Sequence, residues 1–501
     1  MRYVCIHGHF YQPPRENPWL EAIELQTSAA PYHDWNERIC DECYAPNASA
    51  RLLDESGWLR GVANNYAKMS FNFGPTLLSW LETHAHETHA AIVDADRRSI
   101  GRFGRGSAMA QSYNHLIMPL ANDRDRRTQV RWGIADFRHR FHRQPEGMWL
   151  AEAAVDTPTL EALAAEGIRF TVLAPRQAAR FRATSSAAWT ECNAEPIDPS
   201  RPYLCRLPSG ATITLFFYDG PVSQAVAFEG LLNDGRSLAA RMLDAFSPAR
   251  KFSQLAHIAT DGESYGHHHR HGEMALASAL ESLDARPDVE LTNYASFLER
   301  EPPVAEAQIH ENSSWSCVHG VERWRADCGC ASGMHPGWHQ KWRAPLREAL
   351  DDLRDKLAAS FEQQAADLFE DPWAAREAYI AVILSRSEAS IDAFFEAHAR
   401  RELSGQDRVR GLKLLEAQRH AMLMYTSCGW FFDDIAGIET VQVMLYAARA
   451  MQLERDCSGT DHELAFLEQL RSAPGNREHL ADGGRTYDAL VRPMIVDLPR
   501  V

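Results

Sequence analysis

Residues 256–269 read Ala-His-Ile-Ala-Thr-Asp-Gly-Glu-Ser-Tyr-Gly-His-His-His, an apolar run that breaks into carboxylates, glycines, an aromatic ring and imidazoles. A buried strand needs the first half. Nothing in strand packing needs Asp261, Glu263, Tyr265 and three histidines crowded around two glycines at its end. Well upstream, Gly147-Met148-Trp149-Leu150-Ala151-Glu152 carries another carboxylate off the end of an apolar segment. Barrel enzymes place their catalytic groups at strand ends. Carboxylates delivered from two strand ends suit acid/base chemistry at a glycosidic bond.

The elements that must position these groups alternate between strand and helix through the first part of the chain. Tyr3 to Ile6 and Lys68 to Phe73 are short apolar runs, and Gly74-Pro75 then opens a helix through Leu77, Leu78 and Leu81. After Glu152, Thr157 reads as a helix cap with Pro158 at the first position, Gly167 as the stop, and 168–173 as the next strand. Thr212 to Tyr218 is a further strand ending in Asp219-Gly220, and Ala256 to Thr260 follows an amphipathic helix near Leu238 to Phe246. This alternation predicts an α/β fold with a parallel sheet closing as a barrel.

Beyond Glu301-Pro302-Pro303 the pattern changes. Trp342, Leu346, Leu350, Leu353, Leu357 and Phe361 form the stripe of a long helix, with further helices expected over 373–399, 409–426, 437–453 and 462–470. Two domains are therefore expected: a barrel over 1–337, including its active-site loops, and an all-α domain over 338–501.

Composition narrows the function. A chain of 501 residues, 45% hydrophobic, can bury a large core. A net charge of -16 without a concentrated basic face argues against a nucleic acid partner. No apolar run approaches the ~18 residues of a membrane span, and Met-Arg-Tyr-Val-Cys-Ile-His enters a strand directly, so no membrane partner and a cytoplasmic location are expected. Ten irregularly spaced cysteines read as reduced thiols. Cys40-Asp41-Glu42-Cys43 reads as structural, and His84, His86 and His89 as a solvated helix face. Charge and heptad content give no oligomeric state.

Taken in chain order, the motifs resemble glycoside hydrolase family 57, which includes α-amylases, 4-α-glucanotransferases and branching enzymes. Asp261-Gly262-Glu263-Ser264-Tyr265-Gly266-His267-His268 is similar to that family's acid/base segment, and Trp149-Leu150-Ala151-Glu152 to its nucleophile segment. His7-Gly8-His9 with Gln12-Pro13 resembles its opening motif, and Asn114-His115 through Met118-Pro119-Leu120 resembles another. The resemblance implies an incomplete (β/α)7 TIM-like barrel followed by a helical domain that helps close the active site. Two places depart from the family. Phe10 and Tyr11 stand between His9 and Gln12, and Ser427-Cys428-Gly429-Trp430-Phe431-Phe432 replaces a Ser-Asp-Trp-Pro-like segment. The run 31–37 and the stretch His310 to Cys330 set the chain apart from the well-known amylases.

What the resemblance implies is a retaining hydrolase or glucanotransferase acting on α-1,4-linked glucose units of an oligo- or polysaccharide, with Glu152 as nucleophile and Asp261 as acid/base. His7 or His9 would keep Glu152 ionised, while Asp261 would start protonated beside Glu263. Expected substrate contacts are His7, His9, Gln12, His115, Trp149, Glu263, Tyr265, His268, Trp315 and Trp430. No cofactor is expected. Cys317-Val318-His319 and Cys328-Gly329-Cys330, followed by His335 and His339, hold enough ligands for tetrahedral zinc but lack paired Cys-x-x-Cys knuckles, so free thiols are the preferred reading. A metal-dependent polysaccharide deacetylase and a non-catalytic glycan-binding protein are the alternatives.

Overall fold

Along the first strand, Tyr3, Cys5, His7 and His9 alternate with Val4, Ile6, Gly8 and Phe10. Both sets are buried, as a parallel strand with helices on its outer face requires. One set joins Phe170, Val172, Phe216, Leu255 and Ala259 in the barrel core through Tyr3 and Cys5. Its last two members are imidazoles. The inward face of this strand therefore turns from apolar to polar toward its C-terminal end.

The computed structural model describes residues 1–497. Among the described residues seven parallel strands run round the barrel, β1 (Arg2–Phe10), β2 (Ser70–Phe73), β3 (Ala110–Gln111), β4 (Met148–Trp149), β5 (Phe170–Leu173), β6 (Thr212–Phe217) and β7 (Gln254–Asp261), and a two-residue parallel strand, Glu290–Leu291, pairs with the start of β1 at Tyr3 and Val4. β1 pairs with β7 from Arg2↔Gln254 to His9↔Asp261 and with β2 from His7↔Ser70 to Phe10↔Phe73. The Phe71↔Ala108 bridge leads to β3, Gln111↔Trp149 joins β3 to β4, and the Gly147↔Phe170 bridge leads on to β5. β5 pairs with β6 through Phe217↔Leu173.

Among the described residues no ladder joins β6 to β7; Asp219 N donates to His257 O at 2.8 Å across that gap. The free edge of β6 is taken by an antiparallel strand, Tyr203–Arg206. That side sheet continues through Ala305–Ile309, Ala178–Ala183 and Thr190–Glu191. The fold is the expected incomplete (β/α)7 barrel, left open where β6 binds the side sheet.

The chain divides into two compact units, the first made of Met1–Gln12, Leu25–Ser112 and Phe137–Trp315. The second gathers Pro13–Glu24, Tyr113–Asp136 and Ser316–Val501. The 337/338 boundary falls inside this second unit, because two earlier pieces of chain and the stretch from Ser316 join the C-terminal helices. Those helices include α1 (Arg343–Ala365), α2 (Gly405–Leu423) and α3 (Ile438–Ser458). Leu346, Leu350, Leu353, Leu357 and Phe361 are buried along α1, as their spacing requires.

Local details differ from expectation. The helix after Glu152 is capped by Asp156, whose carboxylate accepts from Thr159 N, so Thr157 is its first residue. The single helix expected over 373–399 is three, Pro372–Ala378, Ile380–Leu384 and Glu388–His398. Ser385 turns extended there, and Ser387 caps the third by accepting from Ser390 N. Among the described residues no helix is long and apolar enough to cross a membrane.

After β7 the chain must turn tightly. Gly266 sits at φ +152, and a Cβ on it would lie 2.4 Å from Glu42 O and 2.8 Å from Cys43 Cα, both backbone atoms that cannot step aside cheaply. We expect Gly266→Ala to destabilise the protein by about 1–3 kcal/mol, measured as a lower midpoint in thermal or denaturant unfolding; an unchanged midpoint would refute this packing role.

Candidate active site

The polar end of the barrel begins with Asn72. Its side chain reaches three neighbours: Oδ1 lies 3.1 Å from His7 Nε2, and Nδ2 lies 2.9 Å from His9 Nδ1 and 2.8 Å from Gln111 Oε1. Ser70 Oγ lies 3.1 Å from His7 Nδ1. Burial first, then the nearby His9, lowers the His7 pKa to about 3, so its ring is neutral. A neutral His7 then donates from Nε2 to Asn72 and accepts from Ser70 at Nδ1. Asn72 spends its two N–H groups on His9 Nδ1 and Gln111, which leaves the proton of a neutral His9 ring on Nε2.

Trp149 is stacked on both imidazoles, 4.9 Å from His7 and 5.0 Å from His9, and is fully buried. Its third neighbour is Trp315, 5.0 Å away and edge-on. Trp149 thus fixes the imidazoles and lends no open face to a ligand. Trp315 is only partly buried.

Glu152 follows Trp149 by three residues in an unusual backbone. It adopts φ 56 and ψ 21, and Ala153 follows at φ 48. Left-handed non-glycine residues cost about 1–3 kcal/mol each and persist where surrounding structure enforces them. Here Trp315 does so twice, its backbone N donating to Glu152 O at 2.9 Å and its Nε1 donating to Glu152 Oε2 at 3.1 Å. The expected donors were His7 or His9. His7 hydrogen-bonds with Ser70 and Asn72, and the indole of Trp315 is a donor to the carboxylate that the sequence did not signal.

Asp261 ends β7 level with His9. It is open to solvent on one side yet ringed by protein. That ring, then the carboxylates of Glu263 and Glu152, raises its pKa well above the ordinary range. Glu263 is buried, and burial lifts its pKa to about 7 against hydrogen bonds from Tyr44 and Tyr11. Its Oε1 accepts from Tyr44 OH at 2.6 Å and Tyr11 N at 3.0 Å. Glu263 is therefore an anchor for the first loop as well as a charge beside Asp261. Gln12 donates to Tyr11 O at 3.0 Å.

Other expected contacts lie elsewhere. Tyr265 is fully buried, its hydroxyl 3.2 Å from Thr260 Oγ1, and offers no surface. His268 is exposed beside His267, which pairs with Glu42. His115 and Trp430 belong to the second unit and are buried there. His115 Nδ1 is 2.7 Å from Ser427 Oγ, and Trp430 Nε1 donates to Arg343 O at 3.3 Å.

Several residues were not anticipated. Ser70, Asn72 and Gln111 organise the imidazoles, and inward-facing polar side chains in otherwise apolar strands were their only signal. Tyr218, at the end of β6, lies 6.4 Å from Trp315 and senses the Asp261 charge. Cys43 and Asn47 hold the loop after β7, Cys43 Sγ contacting Gly262 O at 3.4 Å and Asn47 Nδ2 donating to Tyr265 O at 2.6 Å. The Cys-x-x-Cys pair is structural.

Residues 16–310 match the model of glycosyl hydrolase family 57. The chain belongs to that family. Residues 338–501 match a domain of unknown function, DUF3536. The family 57 chain matches no curated protein in sequence. In fold it is similar to an exo-type maltose-forming amylase from Pyrococcus sp. ST04, with TM-score 0.70 at 14% identity over 98% of this chain and 88% of that one. It is similar also to a branching enzyme from Thermococcus kodakaraensis, with TM-score 0.55 at 15% identity over 99% and 96%. A third likeness is to the α-amylase AmyC from Thermotoga maritima, with TM-score 0.56 at 12% identity over 96% and 98%. At these identities the likenesses establish the fold.

Two substitutions test the electrostatics of this family 57 site. Trp315→Phe removes the indole donor to Glu152, a hydrogen bond to a charged group worth about 1.5–3 kcal/mol, so turnover should fall about ten- to a hundredfold with the circular dichroism unchanged. Glu263→Gln removes a negative charge that raises the Asp261 pKa, so Asp261 loses its proton at lower pH. The basic limb of the kcat/KM profile should therefore move to lower pH, and a stationary limb would contradict the coupling.

Proposed function

We propose that this family 57 member acts on α-1,4-linked glucan by double displacement, with Glu152 as nucleophile and Asp261 as acid/base. The observation that carries this reading is the asymmetry between the two carboxylates. Glu152 receives a hydrogen bond from Trp315, which suits an ionised nucleophile. Asp261 has its pKa raised by desolvation from the surrounding protein and by the charges of Glu263 and Glu152, which suits a proton donor.

In the first step Glu152 attacks the anomeric carbon, the glycosidic bond breaks, and the Asp261 proton passes to the departing oxygen. The Glu152 charge disappears when the glycosyl ester forms. A charge that raised the Asp261 pKa disappears with it, so Asp261, having given up its proton, stays ionised and is placed to act as base in the next step. In the second step Asp261 accepts that proton from water or from a sugar hydroxyl, which attacks the anomeric carbon and releases Glu152. Inversion at each step returns the original anomer.

The similar structures, named as amylase and branching enzyme, support an α-glucan as substrate. Incubation with maltooligosaccharides of defined length, with product sizing and nuclear magnetic resonance of the first-formed anomer, tests the reading. We expect the α-anomer. Shorter products alone mean transfer to water, and longer ones as well mean transfer to a glucan. Glu152→Ala and Asp261→Asn should each lower turnover by several orders of magnitude in a folded protein. Unimpaired turnover in either variant, or release of the β-anomer, would overturn the assignment.

A further inference from the structure

Between Ser316 and Trp342 the chain forms little regular structure, with one short helical turn at Glu322–Trp324. Four side chains from this irregular stretch nevertheless converge. The ligand atoms of Cys317, His319, Cys328 and Cys330 all lie within 4.8 Å of one another, and no other group of three or more potential ligands does so among the described residues. Cys317 Sγ is 4.0 Å from Cys328 Sγ and 3.7 Å from Cys330 Sγ, and Cys330 Sγ is 3.6 Å from His319 Nδ1.

These spacings match the edges of a coordination tetrahedron. Zn–S bonds of about 2.3 Å and a Zn–N bond of about 2.05 Å, at tetrahedral angles, separate two sulfurs by about 3.8 Å and a sulfur from a nitrogen by about 3.6 Å. A disulfide would bring two sulfurs to about 2.05 Å and leave the third without a role. The local backbone fits the same purpose. Gly329 takes φ +80 between Cys328 and Cys330, a conformation that costs glycine nothing and lets both thiols of a Cys-x-Cys turn toward one point. His335 and His339 stand outside the group, His335 being stacked on Trp338 at 3.9 Å.

We propose that Cys317, His319, Cys328 and Cys330 bind one zinc ion in a closed structural site. Three thiolates, one imidazole and Zn²⁺ carry a net charge of -1. Buried Arg343 complements it, donating from Nη1 to Cys330 O at 2.9 Å and interacting with the Cys328 and Cys330 charges. Four protein ligands leave no position for substrate, so the ion acts on structure.

Its target lies within the same unit. Trp324, inside the closed loop, donates from Nε1 to Ser427 O at 3.1 Å, and Ser332 N donates to Asp433 Oδ1 at 2.7 Å. Arg343 Nη2 reaches Phe432 O at 3.2 Å. The ion would thus brace Ser427–Phe432, the segment in which this chain departs from its family's usual motif.

The full chain, purified under reductant and dialysed against metal-free buffer, should contain about one zinc per molecule by elemental mass spectrometry. Cys330→Ser and His319→Ala should each retain less than about a tenth of that. His319 is exposed, so its variant keeps the test valid if Cys330→Ser does not fold. Refilling with Co²⁺ should give the intense visible bands of a tetrahedral thiolate site, and a strong chelator should lower the melting temperature of the parent protein but not of His319→Ala. Zinc content equal in parent and variants, or a disulfide among these cysteines in unreduced peptide maps, would overturn the proposal.

Discussion

Two carboxylates carried at the ends of separate barrel strands, Glu152 after β4 and Asp261 at the end of β7, repel one another. That repulsion is one of the forces, after desolvation and Glu263, that hold the Asp261 pKa up. A donor on Glu152 favours negative charge on that carboxylate, and Trp315 supplies it. For that bond to form, Glu152 must leave the strand in a left-handed conformation with Ala153, and the Trp315 backbone must secure the turn. His7 stays neutral through burial, so its ring adds no charge that would blur the asymmetry.

Beneath this pair lies a polar layer set by one amide. Asn72 joins His7, His9 and Gln111, and Trp149 covers both imidazoles. Parallel register puts Asp261 level with His9 and Asn72, so the ladders of β1 with β7 and β2 are also the alignment of the site. The loop after β7 is secured from the other side by Glu263, Tyr44 and Cys43.

The legible part of this design is local. The apolar run of β1, the break at Asp261 and the stripe of α1 each follow from side-chain character over a few residues, and the structure keeps them. The positions of Asp261 and Glu152 at strand ends were likewise visible. What could not be seen is carried by contacts far apart in the chain: Trp315 is 163 residues from Glu152, and Tyr44 is 219 from Glu263. Nor does Leu-Ala-Glu-Ala-Ala, without glycine, signal two left-handed residues in succession. Periodicity likewise gives no sign that residues 13–24 and 113–136 join the helical unit. Tyr265 illustrates the converse, an aromatic in a chemistry-bearing motif that packing claims entirely.

The most direct test of the division of labour between Glu152 and Asp261 is to trap the covalent intermediate. A 5-fluoro-α-glucosyl fluoride slows the second displacement more than the first, so the labelled enzyme can be digested and the modified peptide sequenced by mass spectrometry. The sugar should be esterified to Glu152. A label on any other residue, or first-formed product of inverted configuration with no label, would contradict the mechanism.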